Sequence, residues 1–236
     1  MKKMQEVLEK IYKSPELRKS IVPLFIGNPG LGKTVILNQF AKEKGINVVE
    51  FITSQRNPFE ISGMAMPDRD LKKMSIWDFD EMLKLKDGDI LFFDEVLNGN
   101  PTVLNACLTL LESRKMISGK KLPDVMVVAA ANHQGMVPIT PQIKERFLWY
   151  DVEFEASMWK DYMLEKYGMS RSMSGKICTL IGKEDFKGRN FYSPRSVDKA
   201  VACMIRSLPT PYEGVLGPIL MGTIKNKLPK TVRLSA

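Results

Sequence analysis

The 236 residues carry 44% hydrophobic and 26% charged side chains, a composition that supports a real core and excludes intrinsic disorder, a collagen-like repeat and a disulfide scaffold. At about 150 residues per domain, the length predicts one main domain and a smaller appendage. Lys and Arg number 35 against 27 Asp and Glu, a net charge of +8, which admits a nucleotide, a nucleic acid or an acidic protein as partner without choosing among them.

The chain opens with Met4, Val7, Leu8 and Ile11 at helical intervals, which predicts an amphipathic helix over residues 2–12. Pro15 ends that helix or begins the next turn. The branched apolar run 21–26 reads as a strand, broken by three glycines and a proline within 27–32. Residues 33–44 read as a helix stopped by Gly45, and 47–52 as a second strand. Pro58, Gly63 and Pro67 interrupt residues 53–86, which predict a loop with short helical pieces. Strands follow at 90–93 and 125–130, separated by a helix over 101–113 with Pro101 in its first turn and Val103, Leu104, Cys107, Leu108 and Leu111 on one face. A fifth strand is expected at 149–154. Beyond Glu155 only helical spacing persists, as in Val197, Val201, Met204 and Ile205.

Near-continuous apolar strands alternating with helices predict a parallel sheet covered on both faces. The expected division is an α/β nucleotide-binding core at 1–154 and a small helical domain at 155–236. Cys107, Cys178 and Cys203 share no metal-ligand or C-x-x-C spacing, so they read as reduced thiols. Residues 1–10 lack the apolar stretch of a secretory signal. The apolar runs 125–131 and 215–224 fall far short of the roughly 20 residues that a membrane helix needs. A cytoplasmic protein without membrane association is expected.

The strongest motif is Gly27-Asn28-Pro29-Gly30-Leu31-Gly32-Lys33-Thr34, a full G-x-x-x-x-G-K-[ST] match between a predicted strand and a predicted helix. Glycines let backbone N–H groups turn toward phosphate oxygens, and the helix that follows points its positive end at them. Lys33 supplies charge for the β- and γ-phosphates, and the Thr34 hydroxyl can ligate Mg²⁺. The second motif is the strand 90–93 ending in Asp94 and Glu95. An acid at the C-terminal tip of a buried parallel strand sits where open α/β sheets bind ligands. Asp94 is thus placed to hold Mg²⁺, and Glu95 to orient and activate a water.

In these residues the sequence resembles the AAA+ ATPases, and within them the MoxR-like branch. The glycine-rich loop and the Asp94-Glu95 pair correspond to the Walker A and Walker B motifs. Asn132, after the strand 125–131, is similar to the sensor 1 position. Glu145-Arg146-Phe147 resembles the triplet that carries an arginine finger, and Ser193-Pro194-Arg195 resembles sensor 2. Residues 57–68 look like the insertion after the second strand, and 116–123, with the Ser118-Gly119 turn, like the hairpin before sensor 1. His133-Gln134-Gly135 departs from the family's usual Asn-Pro ending.

The resemblance implies a P-loop NTPase fold, a three-layer αβα core around a parallel five-stranded sheet with a small C-terminal helical lid. It also implies ATP and Mg²⁺ as ligands. Lys33 and Arg195 would act within one subunit and Arg146 on ATP bound to its neighbour in a hexameric ring. The implied client is a separate polypeptide, in this family often one with a von Willebrand factor A domain. A DNA-directed motor and a nucleotide-switched scaffold are the other functions weighed. Plainer roles stand beside these: Arg146 pairing with Glu145 or Asp151, His133 outside catalysis, Met64 and Met66 gripping a client or packing in a loop, and the basic residues Lys225 to Arg233 as a solvated face.

Overall fold

Five short runs of branched and aromatic residues form one sheet in the computed structural model, which describes residues 2–70, 72–182, 192–206, 208, 210 and 216. The strands are β1 Pro23–Ile26, β2 Val48–Ile52, β5 Ile90–Asp94, β6 Met126–Ala131 and β7 Leu148–Asp151. Two more, β3 Met64–Asp68 and β4 Lys73–Trp77, make a separate antiparallel pair. The five-stranded sheet has the order β2-β5-β6-β1-β7, and every pairing in it is parallel. Each crossover therefore carries the chain back over a face of the sheet, and helices do so on both faces.

Successive strand residues alternate between two cores, as the period of two requires. Phe25, Ile90, Phe92, Met126 and Val128 face one side, where they meet Met4, Leu8 and Ile11 of α1 Lys2–Lys13 and Leu37 and Phe40 of α3 Lys33–Lys44. Leu24, Ile26, Leu91, Phe93 and Val127 face the other, against Val103, Leu104, Cys107 and Leu111 of α6 Pro101–Ser113. Between α1 and β1 lies the short α2 Pro15–Ser20, whose N-cap Ser14 accepts a hydrogen bond from the Leu17 N–H at 3.3 Å. The start of α6 is set by Asn100, whose side chain accepts from the Thr102 N–H at 2.8 Å, and by Pro101 in the first turn.

The chain divides into two units, Met1–Asn28 with Lys33–Glu153, and Pro29–Gly32 with Phe154–Ala236. The second contains α8 Ala156–Tyr167, α9 Arg171–Cys178 and α10 Pro194–Ile205. Its core gathers Trp159, Met163, Ile177, Val197 and Val201. Asp198 on α10 accepts from Lys166 Nζ at 2.9 Å and from the Tyr167 hydroxyl at 2.8 Å, tying α10 to α8. Burial, together with the Asp198 charge, pushes the Tyr167 phenol up to about 12. The basic residues Lys225 to Arg233 and most of the apolar run 215–224 lie outside the described residues. Among the described residues no helix is long and apolar enough to cross a membrane.

Two expectations are corrected. Residues 53–86 are more ordered than a loop with helical pieces: the 3-10 turn Thr53–Gln55, α4 Pro58–Ser62 and α5 Asp80–Leu83 flank the β3–β4 hairpin. Pro67 is tolerated there because each strand of a two-stranded ribbon is an edge, where a missing N–H need not break a ladder. The face formed by Ala65, Pro67, Met74 and Ile76 is exposed throughout, so the hairpin lacks the half-buried alternation that marks a strand in sequence. Met64 and its cross-strand partner Trp77, on the opposite face, are also exposed, while Met66 is half-buried. The last strand runs over Leu148–Asp151 and not to residue 154. Val152 still donates to the Ile26 carbonyl at 2.6 Å, but Phe154 leaves the sheet to pack with Trp159 in the second unit.

All three cysteines are free thiols. Burial pushes the Cys107 thiol up to about 12, while Cys178 and Cys203 are only partly covered. Alkylation by iodoacetamide near neutrality should therefore spare Cys107 until the chain unfolds, as peptide mass mapping would show. Its folded pKa is raised from an ordinary 9.0, so its contribution to stability is complete below pH 9 and declines between pH 9 and about 12. Reaction of Cys107 in the native protein would contradict this burial.

Candidate functional site

Three neighbouring strands of the first unit, β5, β6 and β1, end together, and Lys33, Thr34, Asp94, Glu95 and Asn132 gather beyond their tips. The Gly27 N–H continues the sheet by donating to the Ala131 carbonyl at 3.3 Å. The loop then turns through Gly30 and Gly32, whose φ angles of 80° and 92° lie in the left-handed region where side chains are disfavoured. Residues Pro29–Gly32 belong to the second unit. There, a Cβ placed on Gly30 would come within 3.0 Å of Ser193 Oγ and 3.2 Å of Arg195 Cβ. Ser193 is the N-cap of α10, accepting from the Ser196 N–H at 3.0 Å, and Arg195 stands in the first turn.

Lys33 opens α3 and is 7% exposed. An ammonium so withdrawn from water must be hydrogen-bonded. Its Nζ donates to the Gly27 carbonyl at 2.8 Å, the Asn28 carbonyl at 3.3 Å and Asn132 Oδ1 at 2.9 Å. The next residue, Thr34, donates from its hydroxyl to Asp94 Oδ2 at 2.8 Å. A hydroxyl and a carboxylate so close are the hard oxygen donors that Mg²⁺ takes from proteins when phosphate and water complete its shell. The residues present therefore fit that ion.

Asp94 closes β5, and its other carboxylate oxygen accepts from the Glu95 N–H at 2.9 Å. Its carbonyl accepts from the buried Thr53 hydroxyl at 3.0 Å. On β2, burial and the nearby Asp94 charge raise the pKa of the Glu50 carboxyl. Glu95 has φ 56°, a left-handed conformation uncommon for a side chain of this kind. Its carboxylate accepts a hydrogen bond from the Ser54 hydroxyl. Val96 then donates to the Ala130 carbonyl at 2.9 Å, laying the turn after β5 against β6.

Asn132 lies one residue past β6. Its backbone is held by Asn98: the Asn132 N–H donates to Asn98 Oδ1 at 2.8 Å, and Asn98 Nδ2 donates to the Asn132 carbonyl at 3.1 Å. Neighbouring His133 is exposed. The structure thus joins Lys33 to Asn132 and, one residue on, Thr34 to Asp94, with Glu95 next to Asp94 in the chain. Arg146 ends α7 Pro141–Arg146 and stands apart from these residues. It pairs with Glu112 on α6 at 2.7 Å, so the plainer alternative of a surface pair is met with a partner other than Glu145 or Asp151. Glu112 is 34 positions away in sequence, beyond the reach of a local reading. Thr53, Ser54 and Asn98 were not legible as site residues, because a short polar residue in a turn carries no periodic signal.

A doubly covered parallel sheet with a glycine loop after β1 and acids at the tip of β5 defines a P-loop fold of the AAA+ kind. Residues 18–156 match the model of the MoxR domain in MoxR-vWA-beta-propeller ternary systems, and the chain belongs to that family of AAA+ ATPases. Over 138 residues it is 28% identical to the uncharacterized protein MJ0812 of Methanocaldococcus jannaschii, covering 54% of this chain and 34% of that one. Over 184 residues it is 24% identical to the Holliday junction branch migration complex subunit RuvB of Campylobacter fetus, covering 73% of this chain and 48% of that one. The chain thus spans between a third and a half of these relatives' lengths. Among solved structures, the Thermotoga maritima RuvB branch migration motor superposes with a TM-score of 0.58 at 14% identity, over 94% of this chain and 69% of that chain. At that identity the likeness is one of fold.

Thr53 is 1% exposed. Thr53→Val keeps its shape and removes one donor from the Asp94 carbonyl, which should lower stability by about 1–2 kcal/mol. A shifted denaturant midpoint with unchanged slope would show it. An unshifted midpoint would mean that the bond adds nothing to the strand tip.

Proposed function

We propose that this chain binds Mg-ATP at residues 27–34 and hydrolyses it as one subunit of a ring, a hexamer by family resemblance, that reshapes a separate protein partner. The observation that carries the reading is the pair of hydrogen bonds from Lys33 to Asn132 and from Thr34 to Asp94. They join the ends of three strands around the mouth of a phosphate-binding loop. Thr34 and Asp94 would hold Mg²⁺, which when bound neutralises charge on the phosphates. Lys33 immediately precedes Thr34, and its ammonium suits the β- and γ-phosphate oxygens. Asn132 offers an amide to the γ-phosphate or to the attacking water, and Glu95 a carboxylate to take that water's proton. Arg195, in the unit that includes the loop tip, is assigned to the γ-phosphate of the same subunit.

Arg146 is assigned to the γ-phosphate on the neighbouring subunit. Its present pair with Glu112 leaves the two side chains 34% and 61% exposed, and such surface pairs are worth about 0–1 kcal/mol. Redirecting the guanidinium to a phosphate therefore costs little, whereas an arginine finger raises turnover by about 10³ to 10⁵. The partner chemistry follows the family description, in which MoxR domains stand beside von Willebrand factor A proteins. The second reading, a DNA-directed motor, is favoured by the net charge of +8 and by the 24% likeness to a RuvB subunit.

Mixing two inactive variants tests this reading. Glu95→Gln should bind ATP and turn over at least about 100-fold more slowly than the parent. Arg146→Ala should bind ATP normally and lose about 10³ in turnover. In a mixed ring, the intact pocket of an Arg146→Ala subunit meets Arg146 of a Glu95→Gln neighbour, so turnover should reappear. Failure to complement would remove Arg146 from the neighbour's site. Steep, salt-sensitive stimulation by DNA would favour the second reading over protein remodelling.

A further inference from the structure

Asn98 lies four residues past the tip of β5, and its side chain is almost wholly committed to the chain leaving β6. Its Oδ1 accepts from the Asn132 N–H at 2.8 Å, and its Nδ2 donates to the carbonyls of Asn132 at 3.1 Å and Gln134 at 2.7 Å. The orientation of the amide follows from these partners, because a flipped group would set its oxygen against two carbonyls and its NH₂ against an N–H. Asn98 also closes the turn it sits in, its N–H donating to the Glu95 carbonyl at 2.9 Å. Alongside, the Val137 N–H donates to the Leu97 carbonyl at 2.8 Å. One short segment thus carries Glu95 at its start and grips the backbone of Asn132 at its end.

We infer that Asn98 is a positioning residue for ATP hydrolysis, fixing the Asn132 side chain relative to Glu95 and Lys33 through Asn132's own backbone. This rests on the Mg-ATP reading above. Asn132 stands outside β6, so the sheet ladder does not hold its peptide group, and the Asn98 amide takes over that task. With both the N–H and the carbonyl of Asn132 bound to one side chain, the residue cannot swing without losing two hydrogen bonds together. Its Oδ1 is thereby presented to Lys33 Nζ at 2.9 Å. Asparagine suits the position because it alone pairs an acceptor with two donors on a stem this short. Aspartate has the same shape but would face the Asn132 and Gln134 carbonyls with an oxygen.

The test is a kinetic cycle on the full chain with Asn98→Asp, Asn98→Ala, Asn132→Ala and the double variant Asn98→Ala with Asn132→Ala. A positioning group displaced by about 1 Å costs up to about 100-fold in rate. Both Asn98 variants should accordingly lose about 10- to 100-fold in kcat, with ATP affinity within about twofold of the parent's and a lowered melting temperature that still leaves the chain folded at the assay temperature. The double variant should be no slower than Asn132→Ala alone, within about twofold, since residues acting through one another are not additive. The inference is overturned if either folded Asn98 variant turns over at the parent rate. A multiplicative loss in the double variant, or a loss of ATP affinity with kcat intact, would overturn it equally. If Asn98→Ala does not fold, the isosteric Asn98→Asp carries the comparison. A parent that neither binds nor hydrolyses Mg-ATP defeats the reading above, and this inference with it, whereas parent turnover with indifferent Asn98 variants defeats this inference alone.

Discussion

Withdrawing the Lys33 ammonium from water is the constraint around which the first unit is arranged. A cation that is 7% exposed needs hydrogen-bond acceptors fixed in advance, and two of its acceptors are carbonyls of the loop it closes. Another, Asn132, directly follows a strand remote in sequence. It is reached because β1 and β6 are neighbours in the sheet, paired from Leu24 with Ala129 to Ile26 with Ala131. The pairing of β6 with β5 brings Asp94 and Glu95 to the same edge. Strand order thus decides which polar residues meet, and those pairings rest on the two apolar cores that cover the sheet.

Polar contacts then refine what the sheet brings near. Thr53 and Ser54 reach the ends of the Asp94-Glu95 pair from the turn after β2. Gly99 fits against that turn so closely that a Cβ there would lie 3.0 Å from the Thr53 carbonyl. Further on, Arg56 pairs with Glu60 at 2.6 Å and with Glu81 at 3.0 Å, binding the flanks of the hairpin region together. The carboxylate assigned to water activation is therefore attached to a segment continuous with the exposed β3–β4 hairpin. Surface outside the nucleotide loop is linked to Glu95 along the chain from the hairpin to Ser54 and then through the Ser54–Glu95 hydrogen bond.

What could be read from the sequence follows from which signals are local. The glycine loop, the strand ending in Asp94 and the α6 face of Val103, Leu104, Cys107, Leu108 and Leu111 each state their structure within a dozen residues. Short range is also why β1, β5 and β6 were placed nearly to their ends. The β3–β4 hairpin escaped because its outer face is apolar and uncovered, which breaks the alternation that pairs strand with core. Asn98 escaped because its partners lie at least 34 positions away, and Arg146's partner Glu112 for the same reason. Phe154 was drawn into the last strand by its apolar aromatic side chain, although that side chain belongs to the helical core.

The claim on which the rest depends is that these buried contacts form a seat for a triphosphate. Titration calorimetry of the full chain with ATP, in the presence and absence of Mg²⁺, addresses it most directly. The account predicts saturable uptake of one nucleotide per chain, weakened without the metal and abolished in Lys33→Ala. Heats no larger than dilution for the parent protein, or identical isotherms for parent and Lys33→Ala, would contradict it.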